Sequence, residues 1–383
     1  MAWDELQSAI NDLATKTAAS RRKDIKFVVE RLPSLLSTIE SSAPSPNELD
    51  ELYALLRKPL VPLYATFLLP TMRLAAALVD GIHKFKIVVG RSKHDVSLLP
   101  QWERLQRAIT AGVLDYLEET TTPNASKSTI ENCMFSVVCQ HYFPLASESS
   151  YEEASLDLRC NVHLLLSNCV EEHPVNQSKL RDSNLLGGAR LGLSISRTKE
   201  FLALESLFEL FAGICPPKSS IDKHRRFVDS VFNPTLFPLH KDLKNIAGSL
   251  NSNDWEAAAT KFIEVLARMD ISFPIVQRRD FRRFPSPSGR MYVDRDGLTS
   301  NIEQDDAYDT FFIPYSNISK IHYSSYSTSS TTFTFDLTIP PTFGGVIPET
   351  RQAVTLAIDI PRGNREQFMA SLKNRGLAHR FDQ

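Results

Sequence analysis

Thr332-Phe333-Thr334-Phe335-Asp336-Leu337-Thr338-Ile339 alternates polar and apolar residues with a period of two. An extended strand turns successive side chains to opposite faces, so Phe333, Phe335, Leu337 and Ile339 share one side, and that side must be buried. Downstream, Val354, Leu356, Ile358 and Ile360 repeat the pattern with Thr355, Ala357 and Asp359 opposite. Upstream, weaker strand patterns run over residues 290–294, 298–302, 310–313 and 318–323. Between Asn364 and Leu377 the spacing changes: Phe368, Met369 and Leu372 fall on a helical stripe, and Gly376 marks its end. Six or seven short antiparallel strands and one terminal helix predict a pleckstrin-homology-like β-barrel over 290–383, with the helix covering its open core.

Immediately before it, residues 271–289 hold three prolines and four arginines and read as a connector of extended backbone. From Trp3 to about Met269 the apolar spacing is three and four, which predicts helices throughout. Ser45-Pro46-Asn47-Glu48, Ser128-Thr129-Ile130-Glu131, Ser150-Tyr151-Glu152-Glu153 and Asn253-Asp254-Trp255-Glu256 each place a capping side chain three residues before a glutamate, as at a helix start. Further helices are expected over 5–17, 21–41, 61–87, 98–119, 198–214, 220–231 and 238–249, joined by connections such as Thr121-Thr122-Pro123-Asn124. Either a large bundle or a stacked armadillo/HEAT-like solenoid fits; size favours the solenoid, because one helical core seldom grows past about 250 residues. The reading is α+β and multidomain: helical domain 1–270, connector 271–289, pleckstrin-homology-like domain 290–383.

The chain has 383 residues, 42% hydrophobic and 23% charged, enough apolar surface for a sizeable core. Its formal charge of -2 provides no global field for nucleic acid, so any DNA contact needs a local patch. Glycine, 14 residues, stands at about half the usual ~7%. There is no GxGxxG, Walker, G-x-S-x-G, H-E-x-x-H or kinase H-R-D pattern, and Gly187-Gly188-Ala189-Arg190-Leu191-Gly192 reads as a flexible break between helices. The five cysteines lie in apolar surroundings and read as reduced; Cys160-x-x-His163 with Cys169 reads as core packing, since a structural zinc needs four converging ligands. No cofactor or metal is expected, and no enzymatic activity. The polar start Met1-Ala2-Trp3-Asp4-Glu5 lacks a secretory pattern, and the apolar stretch Leu60 to Val79 contains Pro62, Pro70 and Arg73, so no transmembrane segment is expected.

Charge clusters supply the candidate partner-binding residues. Arg278, Arg279, Arg282 and Arg283, interleaved with Phe281 and Phe284, can meet phosphates or an acidic peptide, or pair with acidic helix ends while the phenylalanines pin the barrel. Glu303, Asp305 and Asp306, with Asp309, read as an interstrand loop able to attract basic partners such as histone tails. His224-Arg225-Arg226 after Lys223 reads as a solvated helix face or part of a phosphate-contacting ridge. Arg290 and Arg295 sit where a pleckstrin-like domain holds a phosphoinositide headgroup, with Asp294 and Asp296 reducing the local potential.

Phe312-Ile313-Pro314-Tyr315-Ser316-Asn317-Ile318, followed by Tyr323-Ser324-Ser325 and Phe333-Thr334-Phe335-Asp336-Leu337, resembles the pleckstrin-like middle domains of FACT-type histone chaperones. Those chaperones usually pair two such barrels and carry an acidic tail; this chain has one barrel and ends at His379-Arg380-Phe381-Asp382-Gln383. The order of a helical domain, Phe284-Pro285 and one such barrel, together with Phe201-Leu202-Ala203-Leu204-Glu205-Ser206-Leu207-Phe208-Glu209-Leu210-Phe211, resembles the N-terminal region of the synaptonemal complex protein 2 family. The resemblance implies a non-enzymatic chromosomal scaffold in the nucleus, with a meiotic or general chromosomal role, binding chromatin-associated proteins and histones. The alternative expectation is a cytoplasmic adaptor whose pleckstrin-like domain binds membrane phosphoinositides.

Overall fold

The computed structural model describes residues 47, 49–50, 53, 56, 63–65, 67–91, 99–143, 145, 154–249, 255–278, 280–281, 290–304, 307–324, 329–347, 349 and 352–382. It is α+β: helices come first and two small antiparallel sheets follow. The expected helices over 5–17 and 21–41, and the starts at Ser150 and Asn253, lie outside the described residues. Two compact units emerge from contact density, one holding residues 1–196 and 206–236, the other 197–205 and 237–383.

In the first unit, α1 (Leu68–Arg91), α2 (Leu99–Glu119), α3 (Pro123–Tyr142) and α4 (Leu156–Val170) pack successively on one another, and alternate helices also meet: α1 lies against α3, and α2 against α4. Trp102, Leu105, Ile109, Ile130, Met134, Phe135, Leu158, Val162 and Leu165 form the apolar faces that this stacking buries. Ser128 does not start a helix. Thr122 occupies the cap position and Pro123 the first turn, where its missing N–H costs nothing, so the helix begins in what reads as a connection. Ser128 lies inside it, its hydroxyl turned back to the Asn124 carbonyl at 3.2 Å and toward His173 Nε2 at 3.0 Å. The short α5 (Pro174–Leu180) begins in the same way, with His173 Nδ1 accepting the Asn176 N–H.

Gly187 to Gly192 is no flexible break. It opens α6 (Gly187–Arg197), with Gly187 at φ 59. α7 (Phe201–Ile214) follows, then α8 (Ile221–Val231). Gly188 and Gly192, one turn apart, let α6 approach the end of α8: a Cβ on Gly188 would meet Ser230 Oγ at 1.8 Å, and one on Gly192 the Val231 carbonyl oxygen at 2.1 Å.

The second unit carries α9 (His240–Ser249), α10 (Trp255–Met269) and the sheets. The first sheet has the order β1 (Ile275–Arg278), β3 (Arg290–Val293), β4 (Gly297–Gln304), β5 (Ala307–Pro314), β8 (Thr342–Phe343); the second is β2 (Asp280–Phe281), β9 (Thr355–Pro361), β7 (Ser330–Leu337), β6 (Ile318–Ser324). Among the described residues the strands form these two sheets and do not close into one barrel. The stretch 271–289, expected as a connector, supplies both β1 and β2. Met291, Val293, Leu298, Phe311 and Ile313 from one sheet meet Ile321, Phe333, Phe335, Leu337, Ile358 and Ile360 from the other in a single core. Ile339 and Val354, expected on the buried faces, are exposed: β7 ends at Leu337 and β9 starts at Thr355, so Ile339 falls beyond the strand and Val354 only closes its end, its carbonyl accepting the Leu337 N–H at 2.7 Å.

The terminal helix α11 (Arg365–Asn374) completes that core with Phe368 and Leu372, both fully buried. Phe368 stands edge-on to Phe333, with ring centroids 4.8 Å apart, and to Phe335 at 6.5 Å. Gly376, at φ 83, turns the chain out of the helix in the left-handed conformation that glycine adopts without a Cβ clash.

The glycine approach in the first unit can be weighed directly. Gly192→Ala is expected to lower stability by about 1–3 kcal/mol through overpacking against a backbone carbonyl. Gly248→Ala, where a Cβ meets nothing within 4 Å in α9, is expected to be neutral or to stabilise by about 0.5–1 kcal/mol. Urea unfolding midpoints of the two variants decide the point, and equal effects contradict the close approach.

Candidate functional site

Of the residues expected to bind partners, Arg279, Arg282, Arg283, Asp305 and Asp306 lie outside the described residues. Arg278 is the last residue of β1, paired with Arg290. Glu303 and Asp309 do not lie in a loop. The β4–β5 ladder continues from Gly297↔Pro314 to Gln304↔Ala307, placing Glu303 opposite Tyr308 and Asp309 opposite Ile302 and leaving two residues as the connection. On α8, Arg225 reaches the Asp222 carboxylate at 3.1 Å and Arg226 Nε the Asp222 carbonyl at 3.2 Å, all on an exposed face.

Arg290 and Arg295, the pair a phosphoinositide headgroup would need, are engaged within the second unit. Arg290 donates to Thr260 Oγ1 at 3.2 Å, and Arg295 to Glu200 Oε1 at 2.9 Å. Arg295 belongs to a tight turn between β3 and β4, closed by the Asp294 N–H donating to the Gly297 carbonyl at 2.9 Å. Asp-x-x-Gly is a turn signature, and it is the sequence signal that marks this place.

Asp294 is the centre of the most connected polar group in this unit. Its carboxylate accepts the Phe201 N–H at 2.9 and 3.0 Å and the Arg295 N–H at 2.8 Å. Its carbonyl accepts the Tyr315 hydroxyl at 2.7 Å and Arg375 Nε at 2.8 Å, while Arg375 also donates to the Ser272 carbonyl at 2.8 Å. Phe201 is the first residue of α7, so the carboxylate sits on an otherwise orphaned helix-start donor, where the helix dipole favours negative charge. The Phe201 ring stacks on Tyr292, with centroids 3.6 Å apart. Burial nevertheless pushes the Asp294 carboxyl up to about 7, aided by the nearby Glu200 charge and opposed by the two backbone N–H bonds and Arg375.

In the first unit the ionisable groups are tied to structural partners. His83 stacks on His141 with centroids 4.0 Å apart, and His141 Nε2 lies 2.8 Å from Asp80. Burial and the neighbouring His141 and Lys86 push His83 down to about 3, and burial does the same to His163, whose Nδ1 faces Ser206 Oγ at 2.8 Å. Lys86 pairs with Glu103, and Lys179 with Glu131.

Cys139, Cys169 and Cys215 are poor nucleophiles: burial raises their thiols to about 12. Cys215 Sγ lies 3.5 Å from His224 Nδ1, but that nitrogen faces the Pro216 carbonyl oxygen at 2.8 Å and donates to it, so it does not take a proton from the thiol. Among the described residues no group of three His, Cys, Asp or Glu side chains converges as metal ligands, and no helix is long and apolar enough to cross a membrane.

The buried Asp294 sets a pH dependence. With a folded-state value near 7 against an ordinary 3.8, the folded chain keeps a proton that the unfolded chain has released between about pH 4 and 7. Stability therefore falls as pH rises through that window, at up to about 1.4 kcal/mol per pH unit. Asp294→Asn keeps an acceptor oxygen but cannot ionise, so its melting temperature is expected to gain on the wild type as pH rises across that window. Parallel melting curves contradict the assignment. Searches of protein-family models, curated proteins and solved structures find no match to this chain.

Proposed function

We propose that this chain is a non-enzymatic nuclear adaptor that binds chromatin-associated proteins, core histones among them. Its helical unit is read as an armadillo-like solenoid, and its two-sheet unit as a pleckstrin-like domain whose sheets stay open. The observation that carries the reading is the terminal helix: Phe368 and Leu372 fill the core between two antiparallel sheets, the arrangement in which pleckstrin-like domains seal themselves. The packing of α1 on α3 and α2 on α4 supports the solenoid, because stacked helix pairs bury their faces on the preceding pair. The assignment to chromatin rests on the resemblance of Phe312 to Ile318 and Phe333 to Leu337 to histone-chaperone domains.

A non-catalytic role is supported by the chemistry of the buried groups. The Cys139, Cys169 and Cys215 thiols near 12, the His83 and His163 rings near 3 and a carboxylate fixed by backbone amides serve the fold. Engagement of Arg290 and Arg295 by Thr260 and Glu200 favours the protein-binding reading over a lipid one.

The test is retention of purified core-histone complexes, and of chromosomal proteins from nuclear extract, on the immobilised full-length chain at physiological salt, beside liposomes carrying phosphoinositides. Retention of histones or enrichment of chromosomal proteins over cytosolic ones by about tenfold is expected. Retention of neither, or binding to the liposomes alone, overturns the proposal.

A further inference from the structure

The C-terminal segment lies along the outer edge of β6. Ile321 forms a parallel bridge with Phe381, and the Asp382 N–H donates to the Ile321 carbonyl at 3.1 Å. Two residues earlier on the strand, the Ser319 carbonyl accepts Arg380 at 3.4 Å. Paired strands turn alternate residues to opposite sides, so Tyr323 addresses the same outer edge as Ile321, β7 lying on the other side.

The side chains say what this edge selects. His322 places Nδ1 2.6 Å from the Asp382 carboxylate and Nε2 3.1 Å from Asp336. Phe381 packs partly buried against the core, with the Lys373 ammonium 5.8 Å from its ring centroid. At the other end of α11, the Arg365 guanidinium stands 4.8 Å over the exposed ring of Tyr323. Arg365, Lys373 and Arg380 bring cations to the edge, and Asp336 faces His322 from β7.

We propose that the outer edge of β6, flanked by α11, is a peptide-docking site that the chain's own Phe381-Asp382 occupies in the structure. Its occupant when engaged is an extended segment of a partner protein, parallel to β6, with an aromatic residue followed by a carboxylate. Main-chain hydrogen bonds to Ile321 and Tyr323 supply affinity, and the seat of Phe381 and the His322 ring supply selectivity. The proposal deepens the adaptor reading and rests on it only for the existence of a partner; a synthetic peptide tests the edge whatever the nuclear extract yields.

The experiment uses the full-length chain and a fluorescent peptide of sequence Leu-Ala-His-Arg-Phe-Asp. A tethered segment competes at an effective concentration in the millimolar range, so the wild type is expected to bind the peptide at least about tenfold more weakly than a Phe381→Ala/Asp382→Ala variant. Replacing the peptide's aspartate by asparagine, or adding His322→Ala to the variant, is expected to weaken binding by about tenfold. Should the double variant fold poorly by its thermal melt, hydrogen exchange on the wild type decides: about millimolar peptide must speed exchange of the Asp382 amide while β6 stays protected. Absence of peptide binding by a folded variant together with unchanged Asp382 exchange overturns the proposal. So does a wild-type dimer that the double substitution dissociates, since the occupant is then a second copy of this chain.

Discussion

Two sheets with one apolar face each must find a common cover, and the contact of Phe368 with Phe333 and Phe335 is where they find it. Without α11 the inner faces of β7 and β9 would open to water at one end, because among the described residues the two sheets share no ladder that closes them. Burial of one such aromatic contributes about 1.5–3 kcal/mol, and edge-on ring geometry adds about 0.5–1.5 kcal/mol. Gly376 matters through the same contact: its left-handed turn ends the helix soon after Leu372 is seated and sends the chain back toward β6.

The polar turn at Asp294 complements that core. A carboxylate deprived of water is a poor choice for strength alone, yet this one holds the first N–H of α7, the hairpin between β3 and β4, and through its carbonyl both Tyr315 and Arg375. Oδ1 accepts both backbone amides and Oδ2 shares the Phe201 N–H, so a neutral asparagine keeps the two-donor oxygen and loses the shared second contact. The like charge of Glu200 nearby is offset at its own end by Arg295, so the group as a whole keeps its geometry while Asp294 stays easy to protonate.

Strands were readable because a period of two survives in β7 and β9 without interference, and helices because their apolar faces recur at three and four. Ends were less readable. Ile339 and Val354 extend the alternation past the last paired residue, and nothing local shows where the partner strand stops. Ser128 carries a capping pattern inside a helix because Pro123 five residues earlier is the stronger start. The pair Gly188 and Gly192 looks like a break until the Val231 carbonyl beside it is known, since closeness between segments leaves no trace in spacing. Prolines and arginines hid β1 and β2 in the same way. For the candidate site, the arginine and acid runs stood out by composition, whereas Asp294, Arg375 and His322 are single residues whose importance comes from partners distant in sequence.

The four sheet edges are unequal, and the difference explains why the carboxyl-terminal segment lies where it does. A bare edge strand presents unpaired amides and carbonyls that can template another strand. β8 has two residues, too short to guide much pairing; β6 has seven. Among the described residues that long edge carries a cover of one backbone bond from Asp382, one guanidinium contact from Arg380 and one carboxylate beside His322. A cover held partly by exposed charges blocks indiscriminate pairing yet can yield to a strand that offers the same aromatic and acidic pair.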